Sequence, residues 1–84
     1  MRGRNRDILR RGILELLAER GEDSSICPSE AARRAFPDDW RECMDDCREA
    51  ARQLADEGRI EICRGGNPIA PEEIRGPIRL RRAR

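Results

Sequence analysis

The stretch WRECMDDCREAARQLADEGRIEIC, residues 40–63, contains the change of period that determines the fold class. Apolar residues in its first part recur at steps of four, three, four and three, a spacing that predicts one buried face of a helix. These residues are Trp40, Met44, Cys47, Ala51 and Leu54, with Cys43 and Ala50 beside them. Gly58 ends the helical period, and residues 59–63 alternate between apolar and polar side chains, which predicts a half-buried strand. A helix that leads directly into a strand indicates the α+β class.

Two further helices are predicted before this stretch. The first covers residues 5–20 and ends at Gly21, which suits a left-handed C-terminal cap. Its apolar face consists of Leu9, Ile13, Leu16 and Leu17. The second covers residues 28–36, because Pro28 suits the first helical position and Pro37 prevents continuation of the helix.

The N-cap residues of the last two helices follow from the same sequence. Cys27 directly precedes Pro28, and Glu30 then stands at the third helical position, as in a capping box. Asp38 or Asp39 is the expected N-cap residue of the third helix, where the helix dipole favours an acid.

The C-terminal third predicts an antiparallel pair of strands, residues 59–63 and 76–82. In the first strand, Ile60 and Ile62 are expected on one face, with Glu61 and Cys63 on the other. The Gly- and Pro-rich loop between the strands has room for one helical turn at residues 71–73.

With a short extended piece at residues 26–27, the order is helix, extended piece, helix, tight turn, helix, strand, long loop and strand, which predicts a winged helix-turn-helix. The predicted fold is therefore α+β and mainly α, with three helices and a C-terminal two-stranded antiparallel wing. At 84 residues the chain suffices for one domain, so we expect a single domain over residues 1–84 with flexible ends at 1–4 and 83–84.

Four segments of the chain resemble, in the same order, a family of small bacterial proteins catalogued as domain of unknown function 3253. They are ICPSEAAR (26–33), the W-R-x-x-M-D-D-x-R pattern (40–48), EGRIEI (57–62) and RGPIRLRR (75–82). Members of that family resemble winged helices, so the resemblance implies the same fold. It implies no activity, ligand or catalytic residue, and Cys43 and Cys47 stand at variable places of the pattern.

Charge is unevenly distributed along the chain. All 18 basic residues are arginines, and the net charge is +1. Residues 28–58 contain five arginines against nine acids, whereas residues 59–84 contain seven arginines against three acids. The net charge gives no general attraction to polyanions, but the basic C-terminal part gives a local one.

Eight arginines are candidates for nucleic-acid binding, because arginine pairs with phosphate and with guanine. Three belong to the third helix, which in winged helices enters the major groove, and five belong to the wing and the C-terminal strand. They are Arg41, Arg48, Arg52, Arg64, Arg75, Arg79, Arg81 and Arg82. The third helix also carries four acids that would repel phosphate: Glu42, Asp45, Asp46 and Glu49.

Two hypotheses follow for the partner. In the first, duplex DNA binds through the wing and the C-terminal arginines more than through the third helix. In the second, the domain binds protein, with the acidic third helix meeting a basic partner or a second copy of the chain. They differ in which arginines pair with acids. Binding of DNA through the wing is favoured if Arg48 and Arg52 pair with neighbouring acids while Arg64, Arg79 and Arg81 form an open patch. The interaction module is favoured if every arginine is paired.

The cysteines support a third hypothesis, a thiol or zinc sensor. Cys27, Cys43, Cys47 and Cys63 contain no C-x-x-C pair, so we predict thiols that fill the core and no bound metal. Cys27 is a candidate redox residue, because a helix N-terminus stabilises a thiolate.

Catalysis, cofactors and membranes are not expected. The sequence has no histidine, the usual general base, and no phosphate-binding loop, so we predict neither an enzyme nor a cofactor. No stretch is apolar enough to span a bilayer, and we expect a cytoplasmic location in which the cysteines stay reduced.

Overall fold

Three helices and four short strands form the described part of the chain. The computed structural model describes the backbone of residues 2–83 and the side chains of residues 3–83. The helices are α1 (Arg2–Arg20), α2 (Pro28–Ala35) and α3 (Met44–Asp56), and Pro71–Glu73 forms a single 3₁₀ turn. The strands are β1 (Ser25–Ile26), β2 (Ile60–Arg64), β3 (Asn67–Pro68) and β4 (Arg79–Arg82). The predicted α+β class, mainly helical with three helices, is confirmed.

The sheet is larger than predicted. Its strand order is β1-β4-β2-β3 with every pair antiparallel, so β4 lies between β1 and β2. The predicted pairing of residues 59–63 with 76–82 is confirmed, and Leu80 faces both Ile26 and Ile62 across the strands. The predicted pair is the centre of a four-stranded sheet, because β1 and β3 add one strand at each edge. β1 coincides with the extended piece predicted between the first two helices, whereas β3 has two residues, too few for an alternating pattern to be visible in the sequence.

A tight turn creates the additional strand β3. Arg64 pairs with Asn67, which leaves Gly65 and Gly66 as a two-residue loop. Their φ angles are +59° and +83°, and a type I′ hairpin turn requires positive φ at both positions. The β2–β3 hairpin is therefore fixed by this pair of glycines.

The ends of α2 and α3 only partly follow the prediction. Cys27 is the N-cap residue of α2, and its N–H donates to the Glu30 carboxylate at 2.7 Å, as predicted. The N-cap residue of α3 is Cys43, so the prediction of Asp38 or Asp39 is wrong.

Tight turns occupy the segment before α3. The Asp39 N–H donates to the Phe36 carbonyl at 3.1 Å, and the Cys43 N–H donates to the Trp40 carbonyl at 3.1 Å. Such i→i+3 turns have nearly the side-chain spacing of an α-helix, so Trp40 matches the helical period although it lies outside the helix.

The core lies between the three helices and one face of the sheet. The predicted apolar residues of α1 are buried, as are Cys47, Ala51 and Leu54 of α3. Trp40 and Met44 are half-buried at the edge of the core.

Cys63 is buried, as predicted for the cysteines, although the alternation of β2 placed it on the same face as Glu61. Only 3% of its surface is exposed, because Pro68 and Arg79 flank it on the two neighbouring strands.

The prediction of flexible ends stays a prediction: α1 begins at Arg2, and Met1 and Arg84 lie outside the described residues.

Candidate nucleic-acid interface

Two acids, Asp46 of α3 and Glu57 at its C-terminal end, form ion pairs with arginines of α1. Arg6 Nε lies 3.2 Å from an Asp46 carboxylate oxygen, and Asp46 is only 14% exposed. One turn further along α1, the Arg10 guanidinium forms a bidentate ion pair with the Glu57 carboxylate, with hydrogen bonds of 2.7 and 2.9 Å. The hydrogen bonds from Arg10 hold the pKa of Glu57 below its usual value. These acids therefore serve the packing of α1 against α3.

Two candidate arginines are neutralised by carboxylates. Arg52 forms ion pairs with Glu49 and, at 3.5 Å, with Asp56, both on α3. Its hydrogen bond to Glu49 raises the pKa of Arg52 and lowers that of Glu49. Arg81 Nε lies 2.7 Å from a Glu61 carboxylate oxygen on the neighbouring strand. Both are poor candidates for phosphate contacts, because a phosphate would have to compete with a carboxylate.

Arg48 and Arg64 converge on one short segment from different parts of the fold. Both terminal nitrogens of Arg48, on α3, lie 3.4 Å from the Gly76 carbonyl oxygen. One terminal nitrogen of Arg64, at the end of β2, donates to the Glu73 carbonyl at 2.7 Å and to the Arg75 carbonyl at 2.9 Å. The exposed Arg75 belongs to the same segment. We call Arg48, Arg64 and Arg75 the loop arginine cluster.

The carbonyl partners of Arg48 and Arg64 do not neutralise the positive charges of these side chains. A carbonyl oxygen accepts a hydrogen bond but carries no formal charge. None of the three guanidinium groups has a carboxylate within 4.0 Å among the described residues. The cluster therefore combines fixed positions for Arg48 and Arg64 with three guanidinium groups that form no ion pair with a described residue, although Asp45 and Glu72 line the same pocket as Arg48.

Arg79 and Arg82 of β4 are the remaining open candidates. Arg79 donates from Nε to the Ser25 hydroxyl at 3.1 Å and from a terminal nitrogen to the Ser25 carbonyl at 2.9 Å. Arg82 is exposed, and neither residue forms an ion pair within the part of the chain that the structure describes.

The turn between α2 and α3 brings two arginines onto one tryptophan. The Arg33 guanidinium lies 4.3 Å from the centre of the Trp40 ring, and that of Arg41 lies 5.0 Å from it. Sequence reasoning identified Arg41 but missed Arg33, because no helical period links residues on opposite sides of Pro37. Cation–π contact holds both groups without neutralising them.

The same region also carries exposed acids. Asp38, Asp39, Glu42 and Asp45 are exposed. None of these four forms an ion pair with the described arginines. An acidic surface thus lies at the turn and at the beginning of α3.

The cysteines occupy two kinds of environment. Cys27 is partly exposed, and the Ser29 hydroxyl donates to its Sγ at 3.1 Å. Cys47 is fully buried and its Sγ donates to the Pro28 carbonyl at 3.2 Å; burial raises its pKa to about 12. Burial also raises the pKa of Cys43. All four cysteines are free, and the described side chains contain no group of three or more His, Cys, Asp or Glu suited to a metal ion.

Comparison with known proteins identifies one family. A family model described as "protein of unknown function (DUF3253)" matches residues 6–83. A search of the curated proteins found no match. Within the described residues, no helix is both long and apolar enough to cross a membrane.

Proposed function

The chain belongs to the DUF3253 family, whose description assigns no activity, and we propose that it is a nucleic-acid-binding regulatory module. In this proposal the loop arginine cluster contacts the phosphates of duplex DNA, and Arg79 and Arg82 extend the contact along β4. One observation carries the proposal: Arg48 of α3 and Arg64 of β2 are held on the same segment by carbonyl oxygens, and neither forms an ion pair with a described residue.

This arrangement suits a phosphate backbone for two physical reasons. Guanidinium groups whose positions are already fixed lose little conformational entropy on binding. Guanidinium groups without a carboxylate partner need not break an ion pair before they meet a phosphate.

The proposal interprets the fold as a winged helix. The predicted order of elements is the observed order, with β1 at the predicted extended piece between α1 and α2 and with β3 inserted after β2. The β2–β3 hairpin and the loop to β4 then form the wing, and the loop arginine cluster lies where the wing meets α3. The paired state of Arg52 makes α3 a minor contributor beyond Arg48.

Binding to a mixed-sequence duplex, measured by fluorescence anisotropy over a range of salt concentrations, tests the proposal. Each phosphate contact that is lost lowers the slope of log affinity against log salt by about 0.9. We expect Arg75→Gln to lower that slope by about 1 without affecting the fold, because the Arg75 side chain has no hydrogen-bond partner among the described residues.

Two matched controls remove the same charge elsewhere. Arg52→Gln removes a paired arginine of α3, and Arg11→Gln removes an exposed arginine of α1. Both should leave the salt slope unchanged. Absence of binding by the wild-type chain at low salt and micromolar concentration, or equal slopes for all three variants, would refute the proposal.

A second function is favoured by the exposed acids at the turn and the beginning of α3. Asp38, Asp39, Glu42 and Asp45 suit a protein partner with an arginine- or lysine-rich surface. An arginine-rich peptide is the probe, and its affinity should fall in Glu42→Gln/Asp45→Asn but not in the control Glu72→Gln. Equal affinities for these two variants would exclude this surface as a binding site.

The proposed module has no catalytic role and acts in the cytoplasm. The chain has no histidine, and many of its carboxylates are paired with arginine in structural contacts. In that compartment DNA is the proposed partner of the loop arginine cluster, and a basic protein is the proposed partner of the exposed acids.

A further inference from the structure

The helix α3 has neighbours on both sides, so little of its surface can approach another molecule. On one side, α1 contacts Asp46 and Gln53, whose amide oxygen accepts from Arg10 at 3.4 Å. On the other side, Arg48 is bonded to the Gly76 carbonyl, and the 3₁₀ turn lines a pocket together with α3. A strip of the helix remains between these neighbours and opposite the buried face. We call it the α3 outer strip: Asp45, Glu49, Arg52 and Asp56.

The loop that contains the 3₁₀ turn limits how closely α3 can approach the bases of DNA. The major groove is about 12 Å wide and an α-helix with its side chains is about 10–12 Å in diameter, so a helix that contacts base edges must present a free outer face. Here Pro71, Glu72 and Ile74 lie beside the α3 outer strip and line the same pocket as Asp45 and Arg48. The loop would therefore meet the DNA backbone before α3 could reach the bases.

The side chains of α3 that could donate to bases are already bonded within the protein. Three of them carry N–H groups: Arg48, Arg52 and Gln53. A bidentate contact to guanine uses two N–H groups of one arginine, and one to adenine uses both the oxygen and the nitrogen of an amide. The nitrogens of Arg52 face the carboxylates of Glu49 and Asp56. The Gln53 oxygen and both terminal nitrogens of Arg48 are occupied by the contacts with α1 and with the loop.

The charge of the α3 outer strip is also unfavourable for the major groove. The strip contains three carboxylates and one guanidinium. Asp45 is exposed and forms no ion pair with any described residue. A helix in the groove has phosphates on both sides, so an unpaired carboxylate on its outer face is repelled. Geometry, hydrogen bonding and charge therefore agree that α3 contacts no base edge.

We infer that this chain binds duplex DNA through the phosphate backbone and without preference for base sequence, with α3 outside the major groove. The inference rests on the proposed function, which supplies the phosphate contacts at the loop arginine cluster. Phosphates are the same in every sequence, so contacts to them position a protein without selecting a site. The ligand class is therefore duplex DNA of any sequence.

Competition among duplexes of equal length and different sequence tests the inference. The set contains an A·T-only, a G·C-only and a mixed-sequence duplex. A bidentate base contact changes affinity by roughly 5- to 150-fold, so we expect the three affinities of the wild-type chain to agree within about fivefold. Selection from a random-sequence library should enrich no motif. A larger difference or an enriched motif would overturn this inference and leave the proposed phosphate contacts standing.

Two variants distinguish backbone contacts from base contacts. Arg75→Gln should lower the affinity for all three duplexes by the same factor, because a phosphate contact is lost equally in each. Gln53→Ala is the control on α3 and should leave all three affinities unchanged. A variant that alters the ratio of affinities between duplexes would show contact with bases and contradict the inference.

A modified duplex tests the position of α3 directly. Glucosylated hydroxymethyl groups on the cytosines project into the major groove and obstruct a helix there. The affinity for this duplex should agree within about fivefold with that for the unmodified one. A greater loss would place α3 in the groove and overturn the inference. Absence of binding to every duplex would refute the proposed function itself, and this inference with it.

Discussion

Cys27 and Glu30 show how a single residue pair fixes the start of α2. The Glu30 carboxylate accepts from the Cys27 N–H at 2.7 Å and from Arg20 at 2.6 Å. The backbone hydrogen bond, followed by Arg20, holds the pKa of Glu30 below its usual value. Because this pKa is lowered by folding, ionised Glu30 stabilises the protein above its ordinary pKa. The stabilisation is lost as the pH falls through the lowered value.

Glu30→Gln should therefore change the pH dependence of stability. At neutral pH we expect the free energy of unfolding to fall by about 0.3–1 kcal/mol, because Gln still accepts from the Cys27 N–H but loses the negative charge at the helix N-terminus and opposite Arg20. The deficit should shrink in acid, where the wild-type carboxyl is protonated too. Urea titrations from neutral to acidic pH measure this, with Glu72→Gln as the exposed control. A deficit that is constant over the whole range would contradict the assigned role of Glu30.

The thiols should differ in reactivity because their surroundings differ. Cys27 is partly exposed, whereas Cys47 is fully buried with a pKa raised to about 12. In the native protein at mildly alkaline pH we expect iodoacetamide to modify Cys27 first and Cys47 only after unfolding. Peptide mass spectrometry gives the order of modification. Modification of all four cysteines at one rate would show that the native packing does not control access.

At the scale of elements, α1 contains a glycine that its helix does not need. Gly12 is buried in the middle of α1, and an added Cβ would lie 4.0 Å from the Ala31 carbonyl oxygen, an ordinary contact distance. Glycine in a helix interior costs about 0.5–1 kcal/mol relative to alanine. Gly12→Ala should raise the free energy of unfolding by about that amount, measured by urea denaturation. A loss of stability would mean that α1 and α2 pack more closely than 4.0 Å implies.

Gly58 is a glycine whose replacement by alanine should lower the free energy of unfolding, whereas replacement of Gly12 should raise it. It closes α3 with φ at +75°, while the Gly58 N–H donates to the Ala55 carbonyl and the Arg59 N–H to the Leu54 carbonyl. This is the Schellman arrangement, which needs the left-handed region at its glycine. Gly58→Ala should lower the free energy of unfolding by about 1 kcal/mol in the same urea assay. No change at this position would contradict the cap as described.

At the scale of the whole molecule, an ion pair between α1 and α3 accounts for one acid of the third helix, Asp46. A double-mutant cycle with Arg6→Gln and Asp46→Asn should give a coupling free energy of about 0.5–1 kcal/mol, near the top of the range for surface pairs. Asp46 is 14% exposed, so added salt should reduce the coupling only in part. Arg6→Gln with Asp45→Asn is the control, because Asp45 has no ion pair among the described residues. Equal coupling in the two cycles would argue against a specific Arg6–Asp46 contact.

The predictions from the sequence are correct where the signal, a hydrophobic period or a turn, involves residues that are close together in the chain. The stripe from Cys47 to Leu54 is buried, Cys27 caps α2, and the strands predicted at 59–63 and 76–82 pair as expected. The prediction failed at Asp38 and Asp39, because successive i→i+3 turns mimic the helical period that was used to locate the start of α3. The predicted burial of Cys63 is correct, but the strand pattern alone placed it on the outer face, and the neighbouring strands that cover it are known only from the fold.

The same distinction between local signals and tertiary contacts applies to the candidate site. The sequence by itself determined which residues are arginine and that the charge is basic after Gly58. Only the tertiary structure decided which of these charges are open. It joins Arg48 and Arg64 at the Glu73–Gly76 segment and neutralises Arg81, whereas the pairs of Arg52 with Glu49 and Asp56 have the i, i+3 and i, i+4 spacing already visible in the sequence. Most of these pairings join residues far apart in the chain or on neighbouring strands. A sequence period reports the face on which a side chain lies, but the packing of the elements decides which other side chains it meets.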